Sequence, residues 1–319
     1  MVRHNDAAYV MMLLGMPLSP MSDGALNPLN AEEFSVLAAA LYPNTAVRIE
    51  DLIRQDIYAL QGKMRLDDEF INRLSLLLSR QMILGRLIED CQDEGTEILT
   101  PFDQQYPQGI KKRLGTYQSP VLFVKGNVQL LEAGYIGILG VSGIKTTDAM
   151  RRGVERLVNR AAINRFGLVT GAEPGVCRLA AGFALENEGR LVCVLTGGLN
   201  EFASDSGHAY AIESGNLLAL SAAHPAARAK NTLLPARNRL IFALSRAAFI
   251  VTSDGKRSET EALRKRLCDE VYLLTDPALP LNAALKQKGF KETEDLNLLD
   301  IDALSKNWSA PEAQQLSFL

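Results

Sequence analysis

This sequence predicts an α/β fold with a mostly parallel sheet, preceded by a helical module. Two observations carry the prediction. From Tyr135 onward, short apolar runs alternate with stretches of helical period. Before about residue 95, apolar residues recur at helical spacing. Small-residue turns follow several of the apolar runs, where a parallel sheet places its ligand-binding loops.

In the first 95 residues the candidate helices are Ala7–Leu14, Ala31–Leu41, Arg48–Leu60 and Asp67–Cys91, punctuated by Pro17, Pro20, Pro28 and Pro43. The stripe Phe70, Ile71, Leu74, Leu77, Leu78, Met82, Leu84, Leu87 and Ile88 runs near helical period along the longest. No phosphate loop or catalytic cluster occurs there, so residues 1–95 read as a packing or partner-binding module. Residues 96–134 are rich in proline and turn residues and read as a bridge, with a short strand at Val121–Val124.

Residues 135–278 form the α/β part. Its expected strands are Tyr135–Leu139, Gly167–Thr170, Leu191–Leu195, Leu217–Leu220, Ala248–Thr252 and Glu270–Leu274. Its expected helices are Thr147–Ala162, Gly175–Asn187, Ser204–Ser214, Ala236–Leu244 and Ser258–Leu267. Residues 279–319 read as a C-terminal tail, with a short helix near Asn282–Lys288.

Composition narrows the function classes. The 319 residues are 47% hydrophobic and 22% charged, ordinary for a globular protein. A formal net charge of -3 means that any nucleic-acid site must be a local basic surface. Four scattered cysteines and three scattered histidines supply neither a disulfide framework nor a metal cluster. No metal or cofactor is expected. The apolar run Ala7–Leu18 is too short to span a bilayer, and Asp6 precedes it. The expected compartment is the cytoplasm.

Four loops remain as candidate chemistry. Gly140–Thr147 (G-V-S-G-I-K-T-T) joins a strand to a helix with small residues and Lys145, which suits backbone contact with phosphate or a plain turn. It lacks the G-K-[ST] ending of a phosphate loop. In Thr170–Arg178, Gly171 and Gly175 permit a tight turn before a helix, with Glu173 at its mouth. Thr196–Asn200 carries the pair Gly197–Gly198, and Ser253–Glu261 carries Lys256 and Arg257. In the latter, Ser258 and Glu261 have capping-box spacing. Phe202 and Tyr210, the aromatics nearest these loops, read as core residues. No loop pairs a nucleophile with a base, so binding is favoured over catalysis.

The segment Pro235–Ser245 (P-A-R-N-R-L-I-F-A-L-S) is electrostatically unusual. Leu240, Ile241 and Leu244 give it helical period, and Pro235 suits a first turn. Arg237 and Arg239 then stand near the positive end of the helix dipole. A bound phosphate or nearby carboxylates would answer that charge equally well.

With these elements in order, the chain resembles the DNA-processing protein A (DprA, also called Smf) family from about Ile98 to Leu274. The bridge D-Q-Q-Y-P-Q-G-I…S-P-V-L-F-V-K-G-N is similar to the family's D-x-x-Y-P-x-x-L…P-x-x-L-x-x-x-G-N. P-A-R-N-R-L-I-F-A-L-S is similar to its F-P-x-R-N-R-x-I-x-x-L-S, and T-G-A-E-P-G-V…A-L to its S-G-x-A-x-G-I-D…H…A-L. The resemblance implies an extended Rossmann-like domain that binds single-stranded DNA without catalysis, forms a homodimer and hands DNA to the RecA recombinase. It carries over Arg237, Asn238 and Arg239 as pocket residues, and Gly140, Gly171 and Gly175 as backbone positions. Ser142, Lys145, Gly197 and Lys256 complete the expected phosphate-binding set.

The chain departs from the family pattern at several points. The arginine of its G-S-R turn is missing near Val141 and Ser142, where Lys145 is the nearest cation. Cys177 stands at the aspartate and Ala181 at the histidine, and the C-terminal winged helix has no clear counterpart. These departures motivate an alternative reading, a diverged antitoxin or regulator that neutralises a toxin in a phage-defence module. A second alternative is a nucleotide-binding or nucleotide-hydrolysing relative of the phosphoribohydrolases. Their P-G-G-x-G-T-x-x-E loop is replaced here by S-D-G-K-R-S-E-T-E.

Overall fold

Among the described residues, nine short strands, most of them buried at nearly every position, organise the chain in a computed structural model. The structure describes residues 4–21, 24–116, 118, 120–132, 134–141, 144–253, 261, 264–274, 285 and 290–293. Two compact units emerge, one of Met1–Glu132 with Val192–Leu244, the other of Ala133–Leu191 with Ser245–Leu319.

The first unit begins with six helices: α1 (Asp6–Gly15), α2 (Ala31–Ala40), α3 (Asp51–Arg54), α4 (Ile57–Met64), α5 (Asp68–Leu78) and α6 (Gln81–Asp93). Two expected helices are each divided. Arg48–Leu60 breaks before Asp56, whose side chain accepts from Tyr58 N at 3.0 Å and starts α4 as its N-cap. Asp67–Cys91 breaks at Ser79–Arg80. Arg80 is buried, and its guanidinium turns inward to donate to Leu26 O at 2.7 Å and to Leu13 O. An interior cation aimed at loop and helix-end carbonyls leaves no glycine or proline signature, so periodicity alone runs through it.

The rest of this unit holds β1 (Glu97–Leu99), α7 (Gln108–Leu114), β2 (Leu122–Gly126), β5 (Leu191–Leu195, from Val192 onward), α10 (Leu199–Ala203), α11 (Ser206–Glu213), β6 (Leu217–Ser221) and α12 (Leu234–Leu244). Its strands lie in the order β1-β2-β6-β5. β1 pairs antiparallel with β2, and β2 antiparallel with β6. The expected helix Ser204–Ser214 is α11, which starts at Ser206 because Asp205 accepts from Gly207 N at 3.0 Å and His208 N at 3.2 Å as its N-cap. The proline-rich bridge is held by its own side chains. Buried Asp103 accepts from Thr100 N at 2.6 Å and Thr100 Oγ1 at 2.7 Å, and Tyr106 Oη donates to Pro120 O at 2.7 Å.

The second unit contains β3 (Tyr135–Leu139), α8 (Asp148–Ile163), β4 (Gly167–Gly171), α9 (Val176–Glu186), β7 (Ala247–Ile250), β8 (Glu270–Leu274) and β9 (Lys291–Thr293). Its strands lie in the order β4-β3-β7-β8-β9, and the four pairings are parallel. The α/β class with a mostly parallel sheet is therefore as expected. All five residues of β3 and of β4 are buried, which is why they read as continuous apolar runs. α8 and α9 pack on each other, and α9 also covers β3 and β4. The expected helices at Ser258–Leu267 and Asn282–Lys288, and most of the tail, lie largely outside the described residues.

Candidate functional site

β3 is flanked by β4 on one side and β7 on the other. Connections therefore leave β3 and β7 in opposite directions, and the carboxyl ends of these two strands form a topological switch point. In open α/β sheets ligands bind at such points.

The loops at this point are built around Gly140. A Cβ there would lie 2.6 Å from Val176 Cβ and 3.0 Å from Thr252 Oγ1, so only glycine lets α9 and the segment after β7 approach. Buried Thr252 accepts from Val141 N at 3.0 Å. Cys177, at the position of the family's aspartate, is buried and turns its thiol to Gly140 O at 3.8 Å. Ala181, at the histidine position, is also buried. Both are packing residues here. Gly175 has a different reason to be glycine. Its φ of +103° suits no L side chain, while nothing lies closer than 3.8 Å to a Cβ built on it. It caps α9 without a side-chain hydrogen bond.

The structure thus gathers Gly140 and Gly175 in one loop cluster. Gly171 is the buried last residue of β4, and Lys145 is exposed. Ser142 and Lys256 lie outside the described residues.

In the first unit, Gly197 faces backbone of its own chain. A Cβ there would meet Ala229 N at 2.7 Å, and Ser221 Oγ donates to Gly197 O at 2.6 Å. α12 begins at Leu234, so Pro235 lies in its first turn, while Arg237 and Arg239 are its fourth and sixth residues. Arg237 is only 3% exposed, whereas Asn238 and Arg239 are half-buried. Arg239 makes no ion pair with a carboxylate among the described residues.

The opposite end of α12 holds a cation that sequence reasoning missed. Arg113 of α7 donates to Ala243 O at 2.7 Å and Phe242 O at 3.3 Å, satisfying last-turn carbonyls at the negative end of the dipole. The cations at the end of α7 were the available signal, but their target is 130 residues away. Tyr210, expected in the core, is 74% exposed, while Phe202 stacks on His208 at 3.9 Å. The short helix α11 presents Tyr210 outward because its buried face is narrow, with Ala211 alone fully covered.

Comparison with known proteins decides the family. The model of the DNA recombination-mediator protein A family matches residues 97–260, just over half of the chain. The chain belongs to this family. It is 29% identical over 155 residues to DNA processing protein DprA of Streptococcus pneumoniae, covering 46% of this chain and 51% of that protein. It is 26% identical over 183 residues to DprA of Bacillus subtilis, covering 54% and 58%. The matched stretches thus span about half the length of these relatives. Among solved structures, DprA from S. pneumoniae superposes with a TM-score of 0.64 at 18% identity, over 92% of this chain and 95% of that one. DNA processing protein A from Helicobacter pylori, a structure concerned with its single-stranded DNA binding mode, gives 0.54 at 20% identity, over 67% and 97%. The DprA fold is therefore shared. Among the described residues no helix is long and apolar enough to cross a membrane.

Proposed function

We propose that this chain binds single-stranded DNA as a non-catalytic factor in DNA processing and recombination. The observation that carries the proposal is the R-N-R segment on α12, the most family-specific stretch of the sequence. It leaves Arg239 part exposed and, among the described residues, without a carboxylate in ion-pair contact. Family membership and the H. pylori relative support the same reading. In this proposal Arg239 and Asn238 of the first unit contact phosphate from side chains and Gly197 shapes backbone there, while in the second unit Lys145 contacts phosphate and Gly140, Gly171 and Gly175 shape backbone near it. Arg237, being buried, braces α12. Ser142 and Lys256 complete the set.

A homodimer, delivery to RecA and a cytoplasmic location belong to the same proposal. So does the division into a helical module (1–95), a bridge (96–134), a Rossmann-like part (135–278) and a tail (279–319).

The test is a fluorescence-anisotropy titration of oligo-dT at several salt concentrations. Each phosphate contact on a single strand contributes a slope of about −0.7 in log K against log salt. Arg239→Ala is expected to weaken binding and flatten the slope by about that amount. An unchanged affinity and slope would overturn the reading.

The burial of Cys177 and Ala181, where the family pattern is polar, favours one second reading. In it the pocket has become a scaffold that neutralises a partner toxin. Co-purification with the product of an adjacent toxin gene, and rescue of cells from it, would select that reading.

A further inference from the structure

The second unit carries a groove between α8 and α9, with a volume of about 580 Å³. That size lies within the range of small-ligand sites. Its walls include Thr147, Arg151, Gly175, Arg178 and Phe183. Of the residues proposed above for DNA, only Gly175 lines it.

Two observations point to an anion. Arg151 and Arg178 face the groove from opposite helices, both exposed, and neither forms an ion pair among the described residues. Arg151 is also pre-positioned, because its guanidinium carbon lies 5.0 Å from the centre of the buried Phe183 ring. A guanidinium resting on an aromatic face keeps its fork of donors directed outward and loses less freedom when it binds. The floor is open, since a Cβ on Gly182 would meet nothing within 4 Å.

Two carboxylates also line the groove, Asp148 and Glu186. Asp148 is the first residue of α8, where the positive end of the helix dipole offsets its charge. Glu186 is the last residue of α9, eight positions beyond Arg178. That is about 12 Å along the axis, more than a Debye length at physiological salt. The end of the groove nearest Gly175 therefore keeps a positive balance.

We infer that this groove holds one phosphodiester of single-stranded DNA between Arg151 and Arg178. The inference rests on the DNA-binding reading and adds a contact surface that the R-N-R segment does not provide.

The experiment compares the full chain, Arg151→Ala/Arg178→Ala, and Arg152→Ala/Arg156→Ala in oligo-dT anisotropy at several salt concentrations. Arg152 and Arg156 are exposed on α8 but do not line the groove. Thermal melting serves as the folding check: all four side chains are exposed, so midpoints should move by no more than about 2–4 °C, loss of the Arg151–Phe183 contact included. The groove variant is expected to bind roughly tenfold more weakly and to lose about 0.7 from the salt slope, with the off-groove variant within about twofold of wild type. Equal losses in both variants, or no loss in the groove variant, would overturn the inference while leaving the DNA-binding reading intact. Absence of oligo-dT binding by the wild type would overturn both. Thymidine monophosphate is the second probe. If it binds as tightly as the oligonucleotide and the groove variant loses it, the groove is a mononucleotide site and its assignment to DNA falls.

Discussion

Gly198 separates two explanations of the Gly197–Gly198 pair, a turn that needs flexible backbone and a close approach of one segment to another. Its φ of −72° and ψ of 170° are open to any L residue. On backbone grounds alone, Gly198→Ala would stabilise the protein by about 0.4–1 kcal/mol through the unfolded chain. The surroundings reverse the sign. An added Cβ would overlap the Pro225 carbonyl and stand 2.5 Å from His224 O. Comfortable carbon contacts are about 3.5–4 Å, so the 224–227 segment would have to retreat by about 1.5–2 Å. That retreat strains Gly198 N–H to Ala227 O at 2.7 Å and Asn200 N–H to Pro225 O at 3.1 Å. Two backbone hydrogen bonds at about 1 kcal/mol each and an overpacking cost of about 1–3 kcal/mol outweigh the entropic gain. A net loss of about 2–4 kcal/mol is expected. Urea unfolding followed by circular dichroism measures it. Gly62→Ala and Gly85→Ala, within α4 and α6 where a Cβ meets nothing within 4 Å, are the controls. They should gain about 0.5–1 kcal/mol. A Gly198→Ala protein as stable as wild type would refute the close-approach explanation.

Arg113→Ala removes a charge-assisted cap from α12 and should cost about 1.5–3 kcal/mol in the same urea experiment; no change would mean that the last-turn carbonyls are satisfied without it. Glu33 joins α2 to Arg73 of α5; burial pushes its carboxyl up, but hydrogen bonds from Arg73 and the Asn30 amide, together with the Arg73 charge, outweigh this and hold it below its ordinary value. Because the folded value is depressed, this stabilisation is present above about pH 4–5 and disappears as pH falls through the folded value. Glu33→Gln should therefore lose about 1–2 kcal/mol at pH 7 and match wild type in acid, whereas a deficit that persists there would show that the charge is not its source. Burial first, then the nearby Glu94 and Asp90 charges, push the Cys91 thiol up to about 12, and Cys177, Cys193 and Cys268 are buried as well. At pH 8 the native chain should label only slowly with a thiol reagent, while four thiols should appear on unfolding; rapid native labelling would contradict the packing.

β3 and β4 were legible because every residue of each is buried. Tyr135–Leu139 and Glu270–Leu274 coincide with β3 and β8, and Gly167–Thr170 falls one residue short of β4. The strands at the margins were not. β1 and β9 have three residues each, too few for any period to declare itself. The divided helices show the complementary limit. Asp56 is an N-cap within a stretch whose apolar spacing continues past it, and Arg80 ends α5 through distant carbonyls. Periodicity records which face is buried, whereas a cap or an inward arginine decides where the backbone stops.

The arginines of α12 illustrate how far charge patterning reaches toward a site. Helix period and Pro235 located the helix, and both arginines then seemed to oppose its dipole. With the helix beginning at Leu234, Arg239 is beyond the first turn, where the dipole effect has largely decayed. The two arginines also part company. Leu240, Ile241, Phe242 and Ala243 are buried together with Arg237, so that guanidinium lies on the packed side of α12, while Arg239 is turned toward a half-open one. Arg113 meanwhile places a cation at the end that the dipole favours. Electrostatics along one helix therefore cannot distinguish a bracing arginine from a binding one. Burial sets Arg237 apart from Arg239, and burial depends on neighbours that local spacing does not encode. For that reason Arg239 is the more direct probe of phosphate contact, and a loss of binding in Arg237→Ala is interpretable only beside its stability.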